Sequence, residues 1–192
     1  MDAVAGPVHE TDIAKLKSEI VRLRRLLREA QAEVARLEPL VDLDPLVPLF
    51  NRRAFTRELD RVVSYCARYK TSAVLVYIDL DDFKSINDRF GHAAGDVVLK
   101  HVAHLLLQTT RKSDVIGRLG GDEFAVLLVR TDLAGGRTAA ERTEKAIAEA
   151  AFDFGGEKIY VTASTGQALV DGSADAERII HCADAVMYGS QD

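Results

Sequence analysis

The 192-residue chain contains no tryptophan, only two cysteines and only four prolines. Cys66 and Cys182 lie far apart and lack metal-ligand spacing, which argues against a disulfide framework or a zinc site. Each stands within an apolar helical pattern, so both are expected as buried thiols. No apolar run approaches the ~20 residues that a membrane span needs. No basic stretch followed by an apolar one marks a secretory signal, and a cytoplasmic location is the expectation. A basic excess is also missing: 25 Lys and Arg stand against 30 Asp and Glu, mostly interspersed, which disfavours a nucleic-acid partner. What remains is a chain with 47% hydrophobic and 29% charged residues, enough for one moderate core plus an appendage.

The appendage declares itself by period. Ile13, Leu16, Ile20, Leu23, Leu27, Ala30, Val34 and Leu37 recur at alternating steps of three and four, which is a heptad seam. With Ile13, Ile20, Leu27 and Val34 at a and Leu16, Leu23, Ala30 and Leu37 at d, the pattern favours a parallel two-stranded coil and hence a homodimer. Asp12 against Lys17 and Glu19 against Arg24 would attract across such a pair, whereas Glu33 against Glu38 would repel. Pro39 should end or kink the helix near Glu38. The alternative is an amphipathic helix packed on its own domain. The expected organisation is a flexible N-terminus at 1–11, a dimerisation helix at 12–41 and a catalytic domain at 42–192.

Beyond residue 40 the pattern becomes mixed. Apolar residues at helical spacing run from Asn51 to Tyr69, followed by a buried strand, Ala73 to Ile78, that ends in acids. A helix should begin near "GHAAGD". Val115–Leu119 and Phe124–Val129 flank Gly120-Gly121 and read as a hairpin, the glycines supplying the positive φ of a tight primed turn. After a Gly-Gly break at 135 and 136 come a helix to about Ala151, a strand within "KIYVTASTGQALV" and a short helix from Asp175 to Tyr188. This alternation predicts an α/β fold, an α+β sandwich with helices over the sheet.

Asp79 closes a buried strand, and Asp122 sits at the tip of a hairpin that could neighbour it. Two carboxylates at adjoining strand ends repel each other unless a cation lies between them, and Mg²⁺ (or Mn²⁺) is the usual cation near a phosphate substrate. Paired acids holding two metal ions are the layout of nucleotidyl transfer. Lys84 and the backbone N–H groups of the Asp82-Phe83-Lys84 turn could bind a triphosphate. Asn87 and Asp96 offer the edges that guanine matches, although either would also serve as a helix cap.

These motifs occur in order: "DPLVPLFNRRAF", "IDLDDFKSINDRFGHAAGD" and "RLGGDEF". Together they resemble the GGDEF family of diguanylate cyclases over about residues 42 to 188. The resemblance implies a central, mostly antiparallel sheet flanked by helices, like the palm of polymerases and class III nucleotide cyclases. It implies that two GTP condense to cyclic di-GMP and two pyrophosphates, each of two subunits presenting one GTP to the other. It places a metal carboxylate on Asp79 with the Leu80 carbonyl beside it, and a second on Asp122, which also accepts the 3′-hydroxyl proton. Glu123 would assist at the metal site. Gly120 and Gly121 would let the backbone approach the nucleotide, Asn87 and Asp96 would contact guanine, and Phe83 and Lys84 would line the phosphates. His92 would lie near the substrate, or else be an ordinary surface histidine.

"RKSD", Arg111 to Asp114, matches the family's RxxD inhibitory motif in sequence and offset, which implies a product site with feedback by cyclic di-GMP. A solvated loop is the other reading. The chain departs from the family at "ADAVMYGSQD", where a Lys and an Arg usually follow the tyrosine, and this should weaken GTP binding or turnover. Thr165, Gln167 and Val47 also depart from it and read as drift. The competing readings are an active Mg²⁺-dependent cyclase, a degenerate module that binds GTP or cyclic di-GMP, and an adaptor whose coil engages a protein partner.

Overall fold

A computed structural model describes residues 10–37 and 42–189, with side chains described for most of them. The chain divides into two units, Met1–Val41 and Asp42–Asp192. In the first, α1 spans Glu10–Leu37. Its 28 residues rise about 42 Å at about 1.5 Å each. Leu16, Ile20, Leu23 and Leu27 of the seam are all exposed on the single chain, joined by Leu26 beside them. Arg22 pairs with Glu19 and Arg25 with Glu29 one turn away along the helix. The side chains of Asp12, Ile13, Ala30, Glu33, Val34, Leu37 and Glu38, and the break at Pro39, lie outside the described residues.

In the second unit, β1 (Phe50–Asn51), β2 (Ala73–Leu80), β3 (Val115–Arg118), β4 (Glu123–Val129) and β7 (Ala163–Val170) form one sheet in the order β1-β3-β4-β2-β7. Only the β1–β3 pairing is parallel. The strand that sequence pattern reads as one within "KIYVTASTGQALV" is instead β7 plus the second half of a hairpin, β5 (Phe152–Phe154) with β6 (Glu157–Ile159). Glycines at 155 and 156 take positive φ at its turn.

β2 is paired on both sides, by β4 and β7, and its alternate residues feed two cores. Val74, Val76, Ile78 and Leu80 meet Phe124, Val126 and Leu128 of β4 under α3 (Phe83–Phe90), α4 (His92–Thr109) and α5 (Leu133–Glu149). Ala73, Leu75 and Tyr77 meet Ala125 and Leu127 under α2 (Arg52–Tyr69) and α6 (Ala176–Gly189). Burial on both faces explains why β2 reads as an unbroken apolar run. Asn51 caps α2 by accepting from the Ala54 N–H at 2.9 Å, and Asp132 caps α5 by accepting from Gly135.

The Gly135-Gly136 pair is therefore the first turn of α5 and not a break before it. Gly136 leaves room for the Val74 side chain, which a Cβ would meet at 2.5 Å. Gly166 lets α6 lie directly on β7, because a Cβ there would overlap the Ala183 carbonyl. Cys66 is buried as expected, whereas Cys182 is exposed on the outer face of α6. The Thr165 hydroxyl donates to Glu144 at 2.6 Å, a polar tie between β7 and α5.

Candidate active site

The β2–β4 register sets Asp79 directly opposite Glu123, so both carboxylates rise from adjoining strands on one face. The Leu80 N–H donates to the Asp122 carbonyl at 3.3 Å, which draws the 119–122 loop against the end of β2. Burial, then the charges of Asp122, Glu123, Asp81 and Asp184, push the Asp79 carboxyl up to about 6. Asp184 comes from α6 and Asp81 from the turn after β2, neither of which the sequence motifs single out. Asp81 is pinned by the hydroxyls of Thr162 and Ser164 at 2.6 and 2.7 Å.

The loop bearing Asp122 differs from the sequence expectation. It has four residues, Leu119 to Asp122, and neither Gly120 nor Gly121 has positive φ. What Gly120 supplies is clearance. A Cβ on Gly120 would overlap the Glu123 carboxylate, and one on Gly121 would point into open space where a ligand could lie. Arg118 holds the loop, donating from Nε and Nη2 to the Gly121 carbonyl at 3.2 and 2.7 Å. Its Nη1 reaches Asp44 at 3.1 Å, and Asp44 in turn accepts from the Leu46 and Val47 N–H groups. The pair is largely buried, at 13% and 14% side-chain exposure, so the opening motif is wired to the glycine loop.

The other half of the site is the α3–α4 helix pair, joined by Gly91 at φ 83°. Asn87 lies on α3 and its carboxamide rests over Gly95, whose missing side chain makes room for it. Asp96 follows Gly95 and is exposed, so the structure brings Asn87 and Asp96 to one place. Gly95 was legible as a glycine inside a helical pattern, where a close approach is the usual reason. Lys84 and His92 are exposed at the starts of α3 and α4. Phe83 is 8% exposed with its ring in the core, which leaves its backbone N–H as the group that can face phosphate.

The donor set suits a hard divalent cation. Two carboxylates and a nearby backbone carbonyl, in a field that already raises Asp79, offer oxygen ligands and uncompensated negative charge. Among the described residues, no cluster of three or more His, Cys, Asp or Glu side chains forms a ready cage.

Arg111 and Asp114 lie at the opposite end of β3 from the glycine loop. Asp114 accepts from the N–H groups of Arg111 and Val129, at 3.0 and 3.3 Å, and so shapes its own loop. A cavity of about 350 Å³ beside it is lined by Thr109, Arg111, Asp114, Thr138 and Arg142. Arg142 also donates to the Thr109 carbonyl; as a lone arginine on an exposed helical face, it carries no sequence signal. No helix among the described residues is long and apolar enough to cross a membrane.

Residues 41–192 match the family model described as diguanylate cyclase, GGDEF domain. The chain is 38% identical over 184 residues to diguanylate cyclase DgcP of Pseudomonas aeruginosa, covering 94% of this chain and 27% of that protein. Diguanylate cyclase SiaD of P. aeruginosa, solved in complex with its activator SiaC, superposes with a TM-score of 0.75 at 29% identity, covering 95% of this chain and 74% of that one. The coiled coil and GGDEF domain of DgcB from Caulobacter crescentus, solved with c-di-GMP, gives 0.73 at 27% identity over 95% of this chain and 93% of that one. With the family match spanning the whole second unit, and with the paired acids and glycine loop in place, this chain belongs to the GGDEF-domain family of diguanylate cyclases.

Proposed function

We propose that the chain condenses two GTP into cyclic di-GMP, releasing two pyrophosphates. The observation that carries this reading is the Asp79–Asp122–Glu123 group at one sheet end, where burial and then the neighbouring charges raise the Asp79 carboxyl, together with the Asn87 carboxamide resting over Gly95 beside Asp96. Asn87 and Asp96 hold the guanine edge, with His92 beside the substrate. Lys84 and the backbone at the start of α3 hold phosphate. Asp79, the Leu80 carbonyl and Asp122 are the metal-facing groups, with Glu123 in support. Two bound Mg²⁺ (or Mn²⁺) ions supply charge neutralisation at phosphorus and acidify the attacking hydroxyl. Asp122 takes the 3′-hydroxyl proton as the new phosphodiester bond forms and pyrophosphate leaves.

One GTP per domain requires a second copy, and the apolar seam of α1 is the surface that supplies it. Residues 1–11 then serve as a lead, 12–41 as the coil and 42–192 as the catalytic domain. Pairing through the coil raises the effective concentration of the two half-sites. A protein partner on the coil is a route to regulation, as the SiaD–SiaC complex illustrates for that relative. Arg111 and Asp114 form a product site for cyclic di-GMP feedback, with Arg142 facing the same cavity. The test is incubation with GTP and Mg²⁺ alongside Asp122→Ala, with product quantified by chromatography. Product from the wild type alone supports the reading. Its absence from a folded dimer that binds GTP would favour a nucleotide-binding module.

A further inference from the structure

The turn that leaves β2 is held from β7 through a single residue. Asp81 donates its backbone N–H to the Thr162 carbonyl at 3.0 Å, and its carboxylate accepts from the Thr162 hydroxyl at 2.6 Å and the Ser164 hydroxyl at 2.7 Å. Leu80 faces Ala163 in register, so these three bonds carry the β2–β7 pairing one residue past the end of β2. The segment they reach is itself anchored: Thr165, next along β7, donates to Glu144 of α5.

Asp82 explains the need for such a hold. It has φ 52° and ψ 25°, the left-handed region that a residue with a Cβ rarely adopts. It stands at the N-cap of α3, yet its side chain makes no cap hydrogen bond. An ordinary Asp cap has extended backbone and accepts from an N–H of the first helical turn, which fixes the turn and occupies that donor. Here the hold comes from one residue upstream, and the cap side chain takes none of the first-turn N–H groups. The Ser85 N–H turns back to the Asp82 carbonyl at 2.8 Å, and before it stand the N–H groups of Phe83 and Lys84. A strained conformation persists where its surroundings over-determine it, and the bonds of Asp81 do so for Asp82.

We propose that Asp81 is a positioning residue of this site, with Thr162 and Ser164 as the donors that hold it: together they fix the left-handed turn at Asp82 and thereby aim the Phe83 and Lys84 N–H groups at the substrate phosphates. This rests on reading the start of α3 as the phosphate site. Neutral hydroxyls suit the place, since they satisfy a carboxylate without setting a fixed cation beside the other acids.

The experiment uses the full chain with Mg²⁺ and α,β-methylene GTP, whose bridging carbon blocks release of pyrophosphate, and reads affinity by isothermal titration calorimetry. Thr162 is exposed, so Thr162→Val keeps the shape of the side chain and removes the hydroxyl with little disturbance of packing. It should weaken binding about 10-fold, whereas Thr162→Ser, which returns the hydroxyl, should stay within about twofold of wild type. In turnover Thr162→Val raises KM for GTP by the same factor and leaves kcat within about threefold, because a phosphate hold common to ground and transition states is lost. A merely structural role would lower Tm and leave nucleotide affinity in place. In an Asp81→Ala background Thr162→Val has no further effect on affinity, because the hydroxyl acts only through Asp81. Wild-type affinity in Thr162→Val, no recovery in Thr162→Ser, or an equal loss in both backgrounds overturns the proposal. If Thr162→Val does not fold, Ser164→Ala removes the other donor: weakened binding then supports the proposal and unchanged binding overturns it. A wild type that binds the analogue but makes no product from GTP refutes the cyclase reading alone, and one that does not bind it overturns both.

Discussion

Replacing Asp79 with asparagine should make the metal-free protein more stable while destroying its function. The carboxyl of Asp79 is pushed up to about 6, first by burial and then by Asp122, Glu123, Asp81 and Asp184. A rise of about 2 pH units corresponds to about 3 kcal/mol, at about 1.36 kcal/mol for each. Solvent screening of a half-buried group reduces this to on the order of 1–2 kcal/mol. The sign follows from linkage. A raised folded-state value means the native state binds the proton more tightly than the unfolded chain, so wild-type stability falls as pH climbs from the ordinary aspartate value of about 3.9. The loss is complete once pH passes the folded value of about 6. The Asp79→Asn variant carries no charge at this position at any pH, so its advantage should widen across that window and stay constant above it. Urea unfolding in EDTA at about pH 4.5 and about pH 7.5, below and above the folded value, measures both gaps, with saturating Mg²⁺ as a third condition. Mg²⁺ should stabilise the wild type and leave the variant unmoved. A variant less stable than wild type at the higher pH, or a gap equal at both pH values, would refute the reasoning.

Arg118→Ala removes the donors to the Gly121 carbonyl and strands Asp44 without its cation. Unfolding in urea should show a loss of about 2–3 kcal/mol, and cyclic di-GMP formation should fall with it. Gly95→Ala pushes the Asn87 carboxamide aside, and if Asn87 holds guanine as proposed, KM for GTP should rise about tenfold with a smaller change in kcat, read from initial rates. Gly166→Ala drives a methyl into the Ala183 carbonyl and the Met187 N–H, forcing α6 off β7. The cost should be about 1–3 kcal/mol, seen as a lowered Tm by calorimetry.

Local period was legible and distant partnership was not. The helical period of α1, the apolar run of β2 and the two acids that follow the glycine pair are all written within short windows. Their meaning survives because each depends on neighbours a few residues away. The glycine loop misleads because a Gly-Gly pair signals positive φ in isolation, whereas here the demand is for space beside Glu123. Gly135-Gly136 misleads likewise: the cap at Asp132 starts a helix in spite of them, and Gly136 is spent on contact with Val74. The burial of the Phe83 ring was not legible in its motif, which speaks only for the backbone of that turn. The Arg118–Asp44 pair and the Thr162 and Ser164 hydroxyls on Asp81 span 74, 81 and 83 residues, and no local pattern encodes them.

The strand order carries a cost in time. β2 lies between β4 and β7, so the strand that ends in Asp79 waits for two partners made much later in the chain. β4 begins at Glu123, but β7 begins only at Ala163. At a synthesis rate of roughly 5–20 residues per second, one hydrogen-bonding edge of an apolar strand stays open for several seconds. An open edge on such a strand is a template for pairing with other chains. Release of the chain before Val170 should therefore give aggregation, whatever the state of the helices already formed, because a strand buried on both faces is still missing one neighbour.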